Sequence, residues 1–196
     1  MEDDAVNDVT PSHHGRRAVV AALLAASLAG AGDWPTFRHD AGRSGSTSDS
    51  LVFPLRQGWE HTPRYAPRPA WPEPGREVNR LAFDTVNHAV AARGLVYLGS
   101  SAEHSVTALD AATGVPRWTV YTGGPVRFAP TVWEDRLLVG SDDGLVRCLS
   151  ADDGTEIWRF NGGHESERIF GNGQMISRWP VRTGVAVEAG VATFAV

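Results

Sequence analysis

The chain has 196 residues, among them 21 Gly, 12 Pro and 7 Trp, and a net charge of −5. That length suffices for one domain with a sizeable core, and the Gly and Pro content suits short strands and turns better than helices. The spread acidity leaves no nucleic-acid footprint, and a single cysteine, Cys148, excludes an internal disulfide.

At the start of the chain, "HHGRR" (His13–Arg17) precedes the apolar run "AVVAALLAASLAG" (Ala18–Gly30), which closes on Ala29-Gly30-Ala31. A charged region, a hydrophobic region and a small-residue end are the anatomy of a secretory signal. The run is too short to span a bilayer as a helix. A buried core helix is the competing reading, but nothing amphipathic accompanies the run. The expectation is a signal helix and peptide over residues 1–31, then a repeat domain over 32–196, exported to the periplasm or beyond. The acidic opening "MEDD" is atypical of such a signal and is compatible with a later start. Gly32 and Asp33 follow the expected cleavage point, where a lipid anchor needs Cys, so no membrane attachment is expected after signal removal.

Further along, the chain repeats itself. "RGLVYLGSSAEHSVTALDAATGVPRW" (Arg93–Trp118) lies over "DRLLVGSDDGLVRCLSADDGTEIW" (Asp135–Trp158), with Gly99 on Gly140 and Trp118 on Trp158. "PVRTGVAVEAGVATFAV" (Pro180–Val196) lies ungapped over "PVRFAPTVWEDRLLVGS" (Pro125–Ser141) at an offset of 55. An earlier partial copy, His88–Ser100, covers Ala129–Ser141. A period of ~40 residues with four strands per unit predicts the blades of a β-propeller. A β-helix or sandwich also yields many short strands and stays open at this point.

One full unit reads from Pro125: strands "PVRFAPTVW", "DRLLVGS", "DGLVRCLSA" and "TEIWRF", separated by turns rich in acids and Gly. Apolar runs such as "RLLVG" and "GLVYLG" fit strands covered on both faces by neighbouring blades. "SDDG" (Ser141–Gly144) has the look of a calcium loop, but its place between two strands predicts a hairpin turn.

The pattern A-x-D-x-x-T-G-x-x-x-W is met in full by Ala108, Asp110, Thr113, Gly114 and Trp118. It resembles the tryptophan-docking motif of quinoprotein propellers, the PQQ-binding-like repeat family. The copy ending in Gly154 and Trp158 departs from it, with Cys148, Ser150 and Asp153 in place of Ala, Asp and Thr. The opening "DWPTFRHDAGRSG" (Asp33–Gly45) also resembles the start of exported members. The resemblance implies an all-β, quinoprotein-type propeller: about 3–4 four-stranded blades of an incomplete arc that closes with about 7–8 in full. It also implies that each blade's Trp stacks on the turn of its neighbour. On that reading Trp118→Ala costs more than Trp71→Ala. Radial closure leaves few free edges, so an open arc predicts self-association or a protein partner at the blade edges.

Chemistry is nearly silent. The histidines show no H-x-H or H-E-x-x-H spacing, no acids fall in a cation-loop spacing, and a vicinal cysteine pair is impossible. No metal site is expected. The sharpest local pattern is "PVR" carrying Arg127 and Arg182, expected at the heads of first strands on neighbouring blades. Two such forks could present donors to a carboxylate or phosphate ligand, or each could pair with an acid of the adjacent blade. The segments His61–Arg80, rich in Pro and Arg, and Asn161–Trp179 depart from the blade pattern and are the expected excursions. The expectation is therefore an exported, non-catalytic binding or assembly scaffold without a cofactor. The alternative is a PQQ-dependent quinoprotein dehydrogenase, with calcium, acting on an alcohol or sugar. A third reading resembles the propeller subunit of the outer-membrane barrel-assembly machinery.

Overall fold

The structure, a computed structural model, describes residues 32–70, 86–171 and 173–196. The expected signal helix and Trp71 lie outside the described residues. Strands β1 (Ala89–Ala92), β2 (Leu95–Ser100), β3 (Ser105–Asp110) and β4 (Pro116–Tyr121) form one antiparallel sheet in chain order. Strands β5 (Thr131–Trp133), β6 (Arg136–Gly140), β7 (Leu145–Ser150) and β8 (Glu156–Asn161) form a second of the same topology. A hairpin of β9 (Arg168–Gly171) and β10 (Gln174–Ser177) follows, then the pair β11 (Ala186–Glu188) and β12 (Val191–Thr193). The two four-stranded sheets are propeller blades, and β11–β12 occupies the first two strand positions of a third.

The repeat in sequence is a repeat in register. Ala108 pairs Trp118 and Cys148 pairs Trp158, and the ladder slips at the next residue in both sheets, between Ala108 and Leu109 and between Cys148 and Leu149. A bulge at that point sharpens the local twist before the turn.

Alternation along β6 explains how one sheet serves two interfaces. Leu137 and Val139 point to the core shared with the first sheet, beside Val106, Ala108 and Leu149. Leu138 points the other way, to Val146, Val181 and Val185 under the third pair. Successive strand side chains take opposite faces, so a strand buried on both sides must be apolar throughout. Burial decides the run here, as read from the sequence.

The "PVR" segments fit between blades at equivalent places. A Cβ on Gly99 would lie 2.6 Å from Val126 Cγ1, and one on Gly140 would lie 2.5 Å from Val181 Cγ1. The backbone follows suit, Val126 N donating to Ser100 O at 3.3 Å and Val181 N to Ser141 O at 3.1 Å.

Two expectations need correction. The first strand of the second blade does not begin at Pro125: it covers Thr131–Trp133 only, so Arg127 and Arg182 sit in links rather than at strand heads. The cause is visible in the bonding, because Val126 spends its amide on Ser100 instead of a ladder, and Pro125 and Pro130 have none to give. The excursion Asn161–Trp179 is not all loop, since β9 and β10 lie within it. Asn172-Gly173 between "RIF" and "QMIS" was the missed hairpin signal.

The opening segment runs beside the first strands of both blades. Trp34 exchanges backbone bonds with Ala91 at 2.6 and 2.9 Å, Val132 N donates to Pro35 O at 2.7 Å, and Thr36 and Thr131 hydroxyls meet at 2.8 Å.

Candidate functional site

Two arrangements bring the sequence's candidate residues together. The first is a tryptophan clamp between sheets. Asp110 shapes its turn by accepting from Ala112 N at 3.1 Å, Thr113 N at 3.0 Å and the Thr113 hydroxyl at 2.9 Å. These bonds hold its carboxyl below the usual carboxylate range, the Thr113 hydroxyl contributing most. Gly114 and Gly154 end equivalent turns at φ of 72° and 77°. A Cβ on Gly154 would stand 2.7 Å from Trp118 Cε3, and one on Gly114 would stand 2.6 Å from Trp59 Cδ2. Both positive φ and the close ring therefore require glycine.

Above each glycine the indole also makes a hydrogen bond. Trp118 Nε1 donates to Ala151 O at 3.2 Å, and Trp59 Nε1 donates to Ala111 O at 2.9 Å. The same Ala151 oxygen accepts the Tyr97 hydroxyl at 3.1 Å. Burial pushes the Tyr97 phenol up to about 12. Ala108 lies opposite Trp118 with no exposed surface, its small side chain leaving room for the ring. Trp158 stands apart: it is 39% exposed and, among the described residues, its Nε1 has no acceptor.

The second arrangement joins the two arginines. Arg127 Nε donates to Asp142 Oδ2 at 2.7 Å, and Arg182 donates to Asp142 through Nε at 3.0 Å and Nη2 at 3.0 Å. Asp142 is fully buried, Arg127 nearly so, and Arg182 is about a quarter exposed. Arg127 also reaches Arg68 O at 2.6 Å through Nη1. Asp142 N donates to Pro125 O at 2.9 Å, and Ser177 N donates to Asp142 O at 2.7 Å. One residue thus gathers three segments: its carboxylate holds the link into its own blade and the link into the next, and its backbone carbonyl holds the end of β10.

Its neighbour Asp143 does similar work on the other side. Arg147 Nη2 donates to it at 2.6 Å and Gly123 N at 2.9 Å, and the Ser141 hydroxyl also donates to it. Burial alone would push this carboxyl up, but the bonds from Arg147 and Ser141 outweigh it and hold the group below its ordinary value. "SDDG" is a turn between β6 and β7 with Gly144 at φ 85°, but a turn whose acids face inward. Composition could not show that.

Comparison with known proteins places this geometry in a family. A family model described as outer membrane protein assembly factor BamB, of PQQ-type repeats, matches residues 56–190. No curated protein sequence matches the chain. Among solved structures, quinohemoprotein alcohol dehydrogenase from Comamonas testosteroni is 20% identical with a TM-score of 0.57, over 82% of this chain and 22% of that one. The enzyme ADHIIG from Pseudomonas putida HK5 is 16% identical with a TM-score of 0.50, over 82% and 22%. BamB from Moraxella catarrhalis is 23% identical with a TM-score of 0.34, over 36% and 21%. The chain thus spans about a fifth of the length of each of these structures, and at such identities the likeness shows the fold alone. With the family model covering well over half of its residues, the chain belongs to the PQQ-type β-propeller repeat family described as outer membrane protein assembly factor BamB.

Proposed function

We propose that this chain is part of an exported, non-catalytic scaffold that works by holding a protein partner. The observation that carries the reading is the Asp142 junction. Arg127 and Arg182, the two side chains best suited to grip a charged ligand, both close on one buried carboxylate and tie consecutive blades. Family membership supports the same reading, because the family is described by an assembly factor rather than by a catalyst. Export is supported by the charged, apolar and small-residue stretches of residues 13–31.

The competing reading is a quinone cofactor with calcium, which the dehydrogenase resemblance implies. Among the described residues no three His, Cys, Asp or Glu side chains converge on a point that could hold a metal. Arg127 is buried and bonded to Asp142 and Arg68 O rather than facing a quinone carboxylate.

The surface that fits a polypeptide is the outer strand of the second blade. Every residue of β8 is exposed, among them Ile157, Trp158 and Phe160, whereas β3 and β7 are buried almost end to end. Contiguous exposed apolar side chains of this kind mark interaction surfaces. Photo-crosslinking residues placed at Phe160 and, as a control on the first blade, at Tyr121 test the reading in cells. A discrete polypeptide trapped from Phe160 and not from Tyr121 is expected. No adduct from either position, together with quinone-dependent dye reduction by the protein, overturns it.

A further inference from the structure

Just past the small-residue stretch Ala29-Gly30-Ala31 the chain is tied down residue by residue. Gly32 N donates to Asp49 Oδ2 at 2.7 Å, Asp33 Oδ1 accepts from Arg93 N at 3.2 Å, and Trp34 exchanges two backbone bonds with Ala91. The compact unit that carries the blades spans Ala31–Val196. Its edge therefore coincides with the cleavage point read from the sequence.

The contact of Gly32 with Asp49 is local and specific. Asp49 returns to Gly32 through a run of short polar turns, in which Ser44 N donates to Asp40 Oδ1 at 2.9 Å and Asp49 N donates to Thr47 Oγ1 at 3.1 Å. Side-chain oxygens bonded to nearby backbone amides bend a chain in this way. Among the described residues Gly32 N is the one donor to the Asp49 carboxylate. The approach demands glycine, because a Cβ on residue 32 would collide with Asp49 Oδ2 and stand 2.8 Å from its Cγ. A distance of 2.7 Å is at the short end for a neutral amide and ordinary for an ammonium on a carboxylate.

From these facts we infer that the Asp49 carboxylate receives the new amino terminus when export cleavage parts Ala31 from Gly32. Water adds across that peptide bond: its hydroxyl goes to the Ala31 carbonyl carbon, the C–N bond breaks, and the nitrogen takes up the protons. Ala31 leaves as a carboxylate and Gly32 begins the mature chain as an ammonium. A donor with one hydrogen becomes a cation with three, and a polar contact becomes an ion pair. Amine termini are captured in this manner by other recognition sites. The inference rests on the export half of the proposed function and adds to it the bond that is cut and the fate of the new end.

Lys is absent from the sequence, so cleavage leaves the Gly32 nitrogen as the only aliphatic amine in the protein. The full chain is expressed in a bacterial host with an outer membrane and recovered from the periplasm. Mass spectrometry of its terminal peptide should read Gly32-Asp33-Trp34. An acylating reagent then labels that amine in the folded protein and, as the reference, in urea. Only the uncharged amine reacts, so an ion pair with Asp49 slows labelling. The folded-to-unfolded rate ratio should rise about 2- to 5-fold in Asp49→Asn, as befits an exposed pair. The gain should shrink in high salt. Gly32→Ala keeps the carboxylate but blocks the approach, and should match Asp49→Asn. A start at Gly32 with equal ratios in all three proteins overturns the capture and leaves export standing. Cleavage at another bond likewise overturns the capture and leaves export standing. An uncut chain retained in the cytoplasm overturns the capture and the export reading together.

Discussion

Tyr97 and Trp118 share one acceptor: both donate to the carbonyl oxygen of Ala151, at 3.1 and 3.2 Å, with their rings 5.9 Å apart. Residues from two strands of the first blade thereby close on a single backbone group of the second. Ala151 is fully buried, so its carbonyl needs at least one of them.

Coupling between the two donors follows. Tyr97→Phe and Trp118→Phe each leave one bond in place and should cost about 1 kcal/mol. The double variant orphans a buried carbonyl, and its loss should exceed the sum of the singles. A double-mutant cycle by denaturant unfolding measures this. Strict additivity would show that the two bonds are independent.

The clamp also ranks the larger changes. Trp118→Ala should cost about 2–4 kcal/mol, below the range for fully buried aromatics because the ring is half-buried. Trp158→Ala should cost less, since that ring is 39% exposed. Gly154→Ala combines a left-handed backbone, worth about 1–2 kcal/mol, with a collision against Trp118. Thermal melts of the three variants give the order, and equal shifts for the two tryptophans would remove the clamp.

How much of this was legible in the chain depends on whether a feature repeats. Trp118, Gly114 and Gly154 recur at one spacing, so pattern alone located them. Tyr97 does not: its counterpart in the second blade is Leu138, which faces the other interface. Asp142 was read as a turn residue because hairpin turns favour acids, and only the inward path of the two links shows that it gathers Arg127 and Arg182. The first-strand length failed for a related reason. "PVRFAP" has strand-like composition, but its Val is consumed in packing on Gly99.

Asp142→Ala should be the most damaging single change at the junction, at about 3 kcal/mol or more, because it withdraws the carboxylate from a buried guanidinium. Arg182→Ala should cost less, its side chain being about a quarter exposed. Chemical denaturation decides the order, and a milder Asp142→Ala would contradict the junction's role.

Acid and base should act at different groups. The folded Asp143 carboxyl titrates below its unfolded value, so its contribution is full above that unfolded value and is lost as pH falls through the folded one. The Tyr97 phenol is raised to about 12, so its contribution is full below the ordinary tyrosine value and is lost as pH rises through about 12. Stability curves of Asp143→Asn and Tyr97→Phe should flatten on the acid and alkaline sides respectively. Unchanged slopes would remove these groups as the cause.

The central claim is that the chain holds a partner rather than performing quinone chemistry. The direct measurement is a titration of the purified full-length exported protein with PQQ and calcium, followed by absorbance and by reduction of an artificial electron acceptor with alcohols and sugars supplied. The account predicts no saturable quinone binding and no dye reduction above the protein-free rate. Stoichiometric quinone binding with substrate-dependent dye reduction would contradict it.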